Sequence, residues 1–335
     1  MSRLLVLAPA FHGYGDSIGD ALSRRGYEVA VNHYDEVDSL LRKAWNKAVH
    51  ELPSLVRTGP QQVQSKRFAT ERALSRLREF RPDIVLVVRG DLLEHRFWDE
   101  ASAGGRPVTV WLYDELRRMT YDPAGLAQVA RIATYSREDA RSLRGRGIEA
   151  LHVRTGFDDR RTAAAHSDAC GLISFVGAPL PGRTAALTAM HAAGLPVLAW
   201  GRGWSDHPID RARTWRLTRN PLPNSRDVPY DQALAIMRDS AATLNVHGDQ
   251  DGFTMRTYEA SAVGGVQLID RPDVAELYEP GREILVFTDH EELVEIARRV
   301  VQHPGEFAGL RKRARERTLA EHTMVQRVQD LEQLW

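Results

Sequence analysis

Short apolar runs alternate with longer amphipathic stretches along the whole chain, and the alternation restarts about halfway. Runs of four to six apolar residues bounded by turn formers read as buried strands of a parallel sheet, and the amphipathic stretches between them as crossover helices. In the first half the expected strands are Leu4 to Leu7, Glu28 to Val31, Asp83 to Val88, Val108 to Tyr113, Ile132 to Tyr135 and Ala150 to Val153. Helical spacing of three and four runs from Asp35 to about Val56 and from Gln61 to Phe80, punctuated at Pro53 and Gly59-Pro60. Thr155 to Ala169 is polar and keeps neither period, which marks a linker between a domain over residues 1–160 and a second over 170–335. In the second half, strands are expected at Leu172 to Val176, Val197 to Trp200, Ala242 to Val246, Val266 to Ile269 and Ile284 to Phe287. Helices are expected at Arg183 to Ala193, Tyr230 to Asp239, Met255 to Val263 and Glu291 to Gln302, with a helical tail from Ala308 to Trp335 whose last part can cross back to the first domain. The fold class is therefore α/β, with two domains each built on a parallel sheet.

Composition narrows the function. At 335 residues, 43% of them hydrophobic, the chain supports two cores. Lys plus Arg (45) equal Asp plus Glu (45), so no global field draws the protein to nucleic acid, and affinity for phosphate must come from a local site. A single cysteine, Cys170, excludes an internal disulfide and a Cys-rich zinc site and fits a cytoplasmic protein. The opening run Leu4 to Ala8 is too short for a signal sequence, and no stretch reaches the roughly 18 to 20 apolar residues of a membrane span, so any membrane contact is expected to be peripheral.

Chemistry concentrates where expected strands end. Leu244 to Gly265 reads as strand, loop with Gly and Asp, helix, and a closing Gly264-Gly265. Such a loop lies at the carboxyl edge of a parallel sheet, where ligands bind. Gly252 lets the backbone approach a ligand, and the amides of Gly252, Phe253 and Thr254 at the helix start suit a phosphate. Asp251 and Glu259, eight positions apart, put one carboxylate at the helix mouth and one about two turns along, each in reach of a different hydroxyl of one extended ligand. A second candidate phosphate site is the strand, loop and helix from Ile173 to Arg183, where Gly177 opens the loop and Arg183 presents a guanidinium that can grip a diphosphate in two places. Arg256 is a similar candidate, and Gly201-Arg202-Gly203-Trp204 can cover the base or phosphates. In the first half, Gly13, Gly15 and Asp16 sit in a glycine-rich loop that also holds His12. That loop is a weak match to a dinucleotide fingerprint. Asp114, after the strand Val108 to Tyr113, is the candidate acid or base for an acceptor, with a helix N-cap as its plain alternative. Asp249-Gln250-Asp251 spells a D-x-D pattern able to hold Mg²⁺ or Mn²⁺, but basic residues and helix amides can stabilise a departing diphosphate unaided, so no metal is expected. The basic run Arg311 to Arg317 reads as a solvated face, and Lys43 to Lys47 as a weak candidate for touching a membrane or an anionic acceptor.

The stretch from Asp251 to Glu259 resembles the acidic E-x7-E motif of retaining nucleotide-sugar transferases of the GT-B architecture, with Asp in the first place. More closely, Asp251-Gly252-Phe253, Arg256-Thr257-Tyr258-Glu259, Gly264-Gly265, Val266 to Asp270, Leu277 to Gly281, Ile284 to Phe287 and Glu321-His322-Thr323 resemble the C-terminal domain of CgeB-like (spore-maturation-type) glycosyltransferases, a domain like that of the group 1 glycosyltransferases. The likeness runs from about Leu172 to the C-terminus. In the first half it rests only on strand pattern and Trp111 to Asp114. It implies the GT-B fold, two Rossmann-like domains with parallel sheets facing a central cleft, and a transferase that takes a UDP- or GDP-sugar and acts with retention. Glu259 would hold the ribose, Asp251 would stand near the donor sugar, and a basic residue after the first strand, Arg183, would neutralise the diphosphate. The acceptor stays open among protein, glycan, metabolite and modified nucleic acid. Two other readings remain at this point: a nucleotide-binding protein of the same fold without transfer activity, and an NAD(P)-dependent oxidoreductase.

Overall fold

The computed structural model describes residues 1–36 and 59–335; most of the helical stretch expected from Asp35 to about Val56, and all of Lys43 to Lys47, lie outside them. The described chain divides into two compact units, one of residues 1–158 with 324–335, the other of residues 159–323.

The first unit is a parallel sheet of six strands, β1 (Arg3–Ala8), β2 (Glu28–His33), β3 (Ile84–Val88), β4 (Val108–Leu112), β5 (Arg131–Thr134) and β6 (Ala150–His152), in the order β2-β1-β3-β4-β5-β6. The middle strands carry the most continuous apolar sequence because helices cover both faces, and Leu4 to Leu7 and Val85 to Val87 have no exposure at all. The crossovers are α1 (Tyr14–Arg24), α2 (Gly59–Phe80), α3 (His95–Ser102), α4 (Pro123–Val129) and α5 (Arg137–Gly145). Local chemistry sets their starts. Asp122 accepts from the amides of Ala124 and Gly125 ahead of Pro123, and Ser136 accepts from that of Asp139. Helix α2 starts at Gly59 rather than Gln61, since a proline at the second helical position loses no hydrogen bond.

The second unit is also a six-stranded parallel sheet: β7 (Ile173–Val176), β8 (Val197–Trp200), β9 (Asn224–Ser225), β10 (Ala242–Asn245), β11 (Gln267–Ile269) and β12 (Leu285–Val286), in the order β12-β11-β10-β7-β8-β9. Counted from its own first strand this is 6-5-4-1-2-3, the doubly wound Rossmann order, with its switch point between β7 and β10. Its helices are α6 (Pro181–Ala192), α7 (Pro208–Arg213), α8 (Tyr230–Asp239), α9 (Met255–Ala262), α10 (His290–Gln302) and α11 (Ala308–Glu321). Strand β9 was not expected: two polar residues carry no hydrophobic signal, and only pairing with Ala199 and Trp200 makes them a strand. The tail read as one helix is two, α11 and α12 (Met324–Leu331), broken at His322-Thr323. The break returns the chain to the first unit, where the Met324 amide donates to the Phe157 carbonyl at 2.7 Å. Among the described residues no helix is long and apolar enough to cross a membrane.

Candidate functional site

The carboxyl ends of β7 and β10 meet at the switch point, and two arginines converge there. Arg183, in the first turn of α6, donates Nε to the Val246 carbonyl just past β10 (3.0 Å) and Nη1 to the Ala178 carbonyl just past β7 (3.2 Å). Its guanidinium lies 5.5 Å from the centre of the Phe175 ring, and that of Arg256 lies 5.3 Å from the same ring. Burial, and then the neighbouring Arg256 charge, push the Arg183 pKa down to about 10. Arg183 stays protonated at neutral pH, and two cations held this close favour an anion beside them, which would raise the pKa again and relieve the repulsion. Gly177 makes room for Arg256. Its φ is +145°, and a Cβ there would stand 3.0 Å from Arg256 Nη2. The next loop closes on it through Trp204, which donates Nε1 to the Gly177 carbonyl at 2.7 Å, and through Gly201, where a Cβ would meet that carbonyl at 2.5 Å.

Glu259 is the fifth residue of α9 and is buried. Its Oε1 accepts from the Tyr230 hydroxyl at 2.7 Å, and the Tyr230 ring carries Arg161 at 4.8 Å. Helix α9 is fixed to the sheet by a buried polar ladder. Asn245 Nδ2 donates to Thr257 Oγ1 (3.1 Å) and Gln267 Oε1 (2.9 Å), and Gln267 Nε2 donates to the Thr257 carbonyl (2.8 Å) and Ser261 Oγ (2.7 Å). Each buried polar group in that ladder has a partner, so the helix holds Arg256 and Glu259 in one register. Gly265 closes the turn where a Cβ would lie 2.6 Å from the Met237 carbonyl.

Asp251 does not stand at the helix mouth. The helix begins at Met255 with Thr254 as its cap, so Asp251 sits in the preceding loop, where Arg271 donates to the carbonyls of Gln250 (2.6 Å) and Asp251 (2.8 Å) while pairing with Asp273. Gly252 and Phe253 are buried, and the Phe253 ring packs on His247 (5.6 Å) and under Arg271 (4.7 Å). The Thr254 amide is directed at His247 Nε2 (3.4 Å), which takes it from the set of open amides expected for a phosphate. Because Nε2 accepts, the ring proton sits on Nδ1, facing Asp270 at 3.4 Å. Burial lowers the His247 pKa and keeps the ring neutral.

In the first unit the glycine-rich segment is mostly helix rather than loop. Gly13 caps α1 in the left-handed region (φ 67°). Gly15 lies inside the helix, buried, where a Cβ would meet Ala8 Cβ at 2.8 Å, and at Gly19 a Cβ would meet Val31 Cγ2 at 2.3 Å. These two glycines let the helix press on the sheet, so the structure gives Gly15 a packing role and no exposed surface for a ligand. Asp16 is exposed in the first turn of α1 and meets His33 Nε2 at 3.1 Å. Asp114 lies past β4, between Arg89 (3.6 Å) and Arg118 (3.7 Å). Burial raises its pKa against the pull of Arg89. The short helical turn that follows is capped by Glu115, without a side-chain bond, so Asp114 is not its N-cap.

The structure thus gathers Arg183, Arg256 and Gly177 at one switch point, with Glu259 one helical turn beyond Arg256. It adds residues that the sequence did not single out for the site: Tyr230, His247, Asp270 and Arg271. Asp270 ended a quoted motif, but Tyr230 and Arg271 carry no local signal, since each acts through a partner some 20 to 29 positions away. Among the described residues no three His, Cys, Asp or Glu side chains converge as metal ligands.

Solved structures share the fold. Sucrose-phosphate synthase from Thermosynechococcus elongatus is similar over 99% of this chain and 98% of its own, at 13% identity and a TM-score of 0.63. HepE of Anabaena, in complex with UDP, is similar over 99% and 98%, at 14% identity and a TM-score of 0.61. UDP-GlcNAc 2-epimerase from Neisseria meningitidis, bound to UDP-GlcNAc, is similar over 99% and 100%, at 12% identity and a TM-score of 0.58. At such identities what is shared is the fold, two Rossmann-like units of the GT-B kind. No curated protein matches the sequence. Residues 183–333, a stretch that takes in Arg183, Asp251, Arg256 and Glu259, match the family described as glycosyl transferase-like.

Proposed function

We propose that the protein is a glycosyltransferase that uses a nucleoside-diphosphate sugar, with UDP or GDP as the leaving group. The observation that carries the reading is the pair of guanidinium groups, Arg183 and Arg256, sharing the Phe175 ring at the switch point, with one of them short of negative charge. In this reading the two arginines hold the diphosphate, Glu259 accepts from the ribose hydroxyls, and Asp251 faces the sugar. Charge-assisted bonds to phosphate grow stronger as the glycosidic bond to the diphosphate breaks, so the arginines act as leaving-group stabilisers without a required divalent ion. Retention fits, because the departing phosphate can itself take the acceptor proton. If the enzyme inverts instead, a base is required, and Asp114, its pKa raised by burial, is the first candidate, with Asp16 a candidate contact on the acceptor side. In this reading the enzyme is cytoplasmic, as its single cysteine fits, and its acceptor is a protein, a glycan, a metabolite or modified nucleic acid.

The experiment is a thermal-shift panel of UDP, GDP, ADP, dTDP, NAD and NADP, each with Mg²⁺ and with EDTA. A ligand at about 100 times its dissociation constant adds roughly 2.7 kcal/mol of stability. Stabilisation by a nucleoside diphosphate that survives EDTA supports the reading. Stabilisation by NAD or NADP alone replaces it with an oxidoreductase. Nucleotide binding with neither transfer nor hydrolysis of any sugar nucleotide would leave a binding protein on this fold.

A further inference from the structure

The first unit has a switch point of its own. In the order β2-β1-β3-β4-β5-β6 the winding reverses between β1 and β3, and the carboxyl ends of β1, β3 and β4 form the edge where such a sheet takes ligands. Past β1 the chain turns through His12 and Gly13, both left-handed at φ 48° and 67°, and Phe11 stays 58% exposed. The Phe11 ring lies 5.7 Å from that of Tyr14, and the Tyr14 ring lies 6.3 Å from that of Tyr113, the first residue after β4. Tyr113 in turn stands edge-on to the buried Trp111 at 4.6 Å, which fixes its ring. Three aromatic rings are thereby gathered at the ends of β1 and β4.

The end of β3 supplies charge. Arg89, the first residue beyond the strand, holds a left-handed φ of 63°, a conformation that costs energy for any residue but glycine. Two tyrosines clamp it: Tyr121 donates its hydroxyl to the Arg89 carbonyl (2.6 Å), and Tyr34 donates to the Val88 carbonyl (3.2 Å) while accepting from the Gly90 amide (3.2 Å). A backbone held in this way aims its side chain. The Arg89 guanidinium meets Asp91 at 2.9 Å and, at the end of β4, Asp114 at 3.6 Å. Asp114 also faces Arg118, which pairs with Glu115, so two arginines stand among three carboxylates. These pairs leave no surplus of positive charge to call for a phosphate or a carboxylate. Asp114 follows Tyr113 in the chain, which joins the charged group to the aromatic one.

We propose that this edge binds a neutral hexose ring of the acceptor, its C–H face on Phe11, Tyr14 and Tyr113 and its hydroxyls on Asp91, Asp114 and Arg89. A hydroxyl both donates to a carboxylate and accepts from a guanidinium through a single oxygen, and adjacent hydroxyls on one ring match carboxylates and a guanidinium set side by side. The faces of aromatic rings carry partial negative charge and attract the polarised C–H bonds of a sugar. With retention Asp114 is not needed as a base and serves as one of these hydroxyl acceptors. The acceptor is then a glycan or a glycoside, not a protein or a nucleic acid. That the sugar is an acceptor rests on the transferase reading; that it binds at this edge does not, and the two are measured separately.

The test is saturation-transfer NMR on the full chain with UDP present, using the methyl glycosides of glucose, galactose, mannose and N-acetylglucosamine, and sorbitol as an acyclic polyol. Saturation is expected on the ring C–H protons of at least one glycoside and not on sorbitol, which offers hydroxyls but no ring face. Phe11→Ala should weaken that glycoside about fivefold through lost stacking. Asp91→Asn should weaken it about tenfold through a lost charge-assisted bond. UDP affinity, from calorimetry, should stay within about twofold in both variants. Phe11 is exposed, so Phe11→Ala should keep the thermal midpoint even if Asp91→Asn, which loses the ion pair to Arg89, lowers it. UDP binding with no saturation of any glycoside overturns the saccharide site and leaves the transferase reading standing, as does equal saturation in the wild type and both variants. Glycoside binding without UDP binding does the reverse. Sorbitol saturated as strongly as the glycosides overturns the stacking. Saturation of p-nitrophenol in place of the glycosides, lost in Phe11→Ala, would put an aromatic acceptor where the sugar is proposed.

Discussion

At the scale of single residues, Asp251 and Glu259 are assigned to different ends of one donor and should fail differently. Glu259 is buried and receives the Tyr230 hydroxyl, so Glu259→Gln keeps the shape while weakening acceptance from ribose hydroxyls. The expected loss in UDP affinity is about 1 to 3 kcal/mol, with a smaller change in rate at saturating donor. Asp251→Asn should spare UDP binding and lower that rate. Equal loss of affinity in both mutants, with rates kept, would refute the division. His247 gives a pH prediction with a definite sign. Burial lowers its folded pKa below the usual 6.5, so the unfolded chain takes up the proton first as pH falls. Stability from this site is then full above about 6.5 and declines as the pH drops toward the lowered value. The midpoint of the wild type should fall more steeply between pH 7.5 and 5 than that of His247→Asn. Parallel curves would exclude His247 as the source.

At the scale of elements, the glycine after β7 controls the position of a side chain on α9. A methyl at Gly177 would press on both terminal nitrogens of Arg256, at 3.0 and 3.2 Å, and would have to adopt φ +145°. Gly177→Ala should cost about 1 to 3 kcal/mol of stability. It should also weaken UDP far more than uridine if, as proposed, the arginine it displaces meets only phosphate; equal weakening of both would place Arg256 away from the diphosphate. Gly177 was legible in the sequence as the opening of a loop between strand and helix, though its closeness to Arg256 was not, and eleven of the twelve strands among the described residues were legible because burial on both faces writes itself as a short apolar run. Strand β9 was not legible, since its two residues are polar. Nor was the reason for Gly15, which read as an open loop residue until the start of α1 at Tyr14 put it against Ala8. Tyr230 and Arg271 were hidden for a further reason: their contacts span long sequence separations, which no local pattern records.

At the scale of the whole molecule, the last twelve residues leave the unit that precedes them and complete the other one. Met324, Val328 and Leu331 of α12 are fully or almost fully buried, Glu332 pairs with Arg25 (2.5 Å), and the Trp335 indole donates to the Tyr27 hydroxyl at 3.1 Å. Arg131 at the start of β5 donates to the Leu334 carbonyl. The three apolar side chains alone contribute about 5 to 9 kcal/mol as an upper bound, comparable with the whole stability of a domain. A chain ending at Thr323 should therefore lose much of the stability of its first unit, while Arg183, Arg256 and Glu259 all lie within residues 159–323 and keep their local partners. Calorimetry should show an early transition that UDP does not move and a later one that it raises, with UDP affinity measured below the first transition within about twofold of the intact chain. If affinity falls in step with the stability of the first unit instead, the nucleotide site is not confined to the second unit, and the assignment of the diphosphate to the two arginines must be extended to residues of the first.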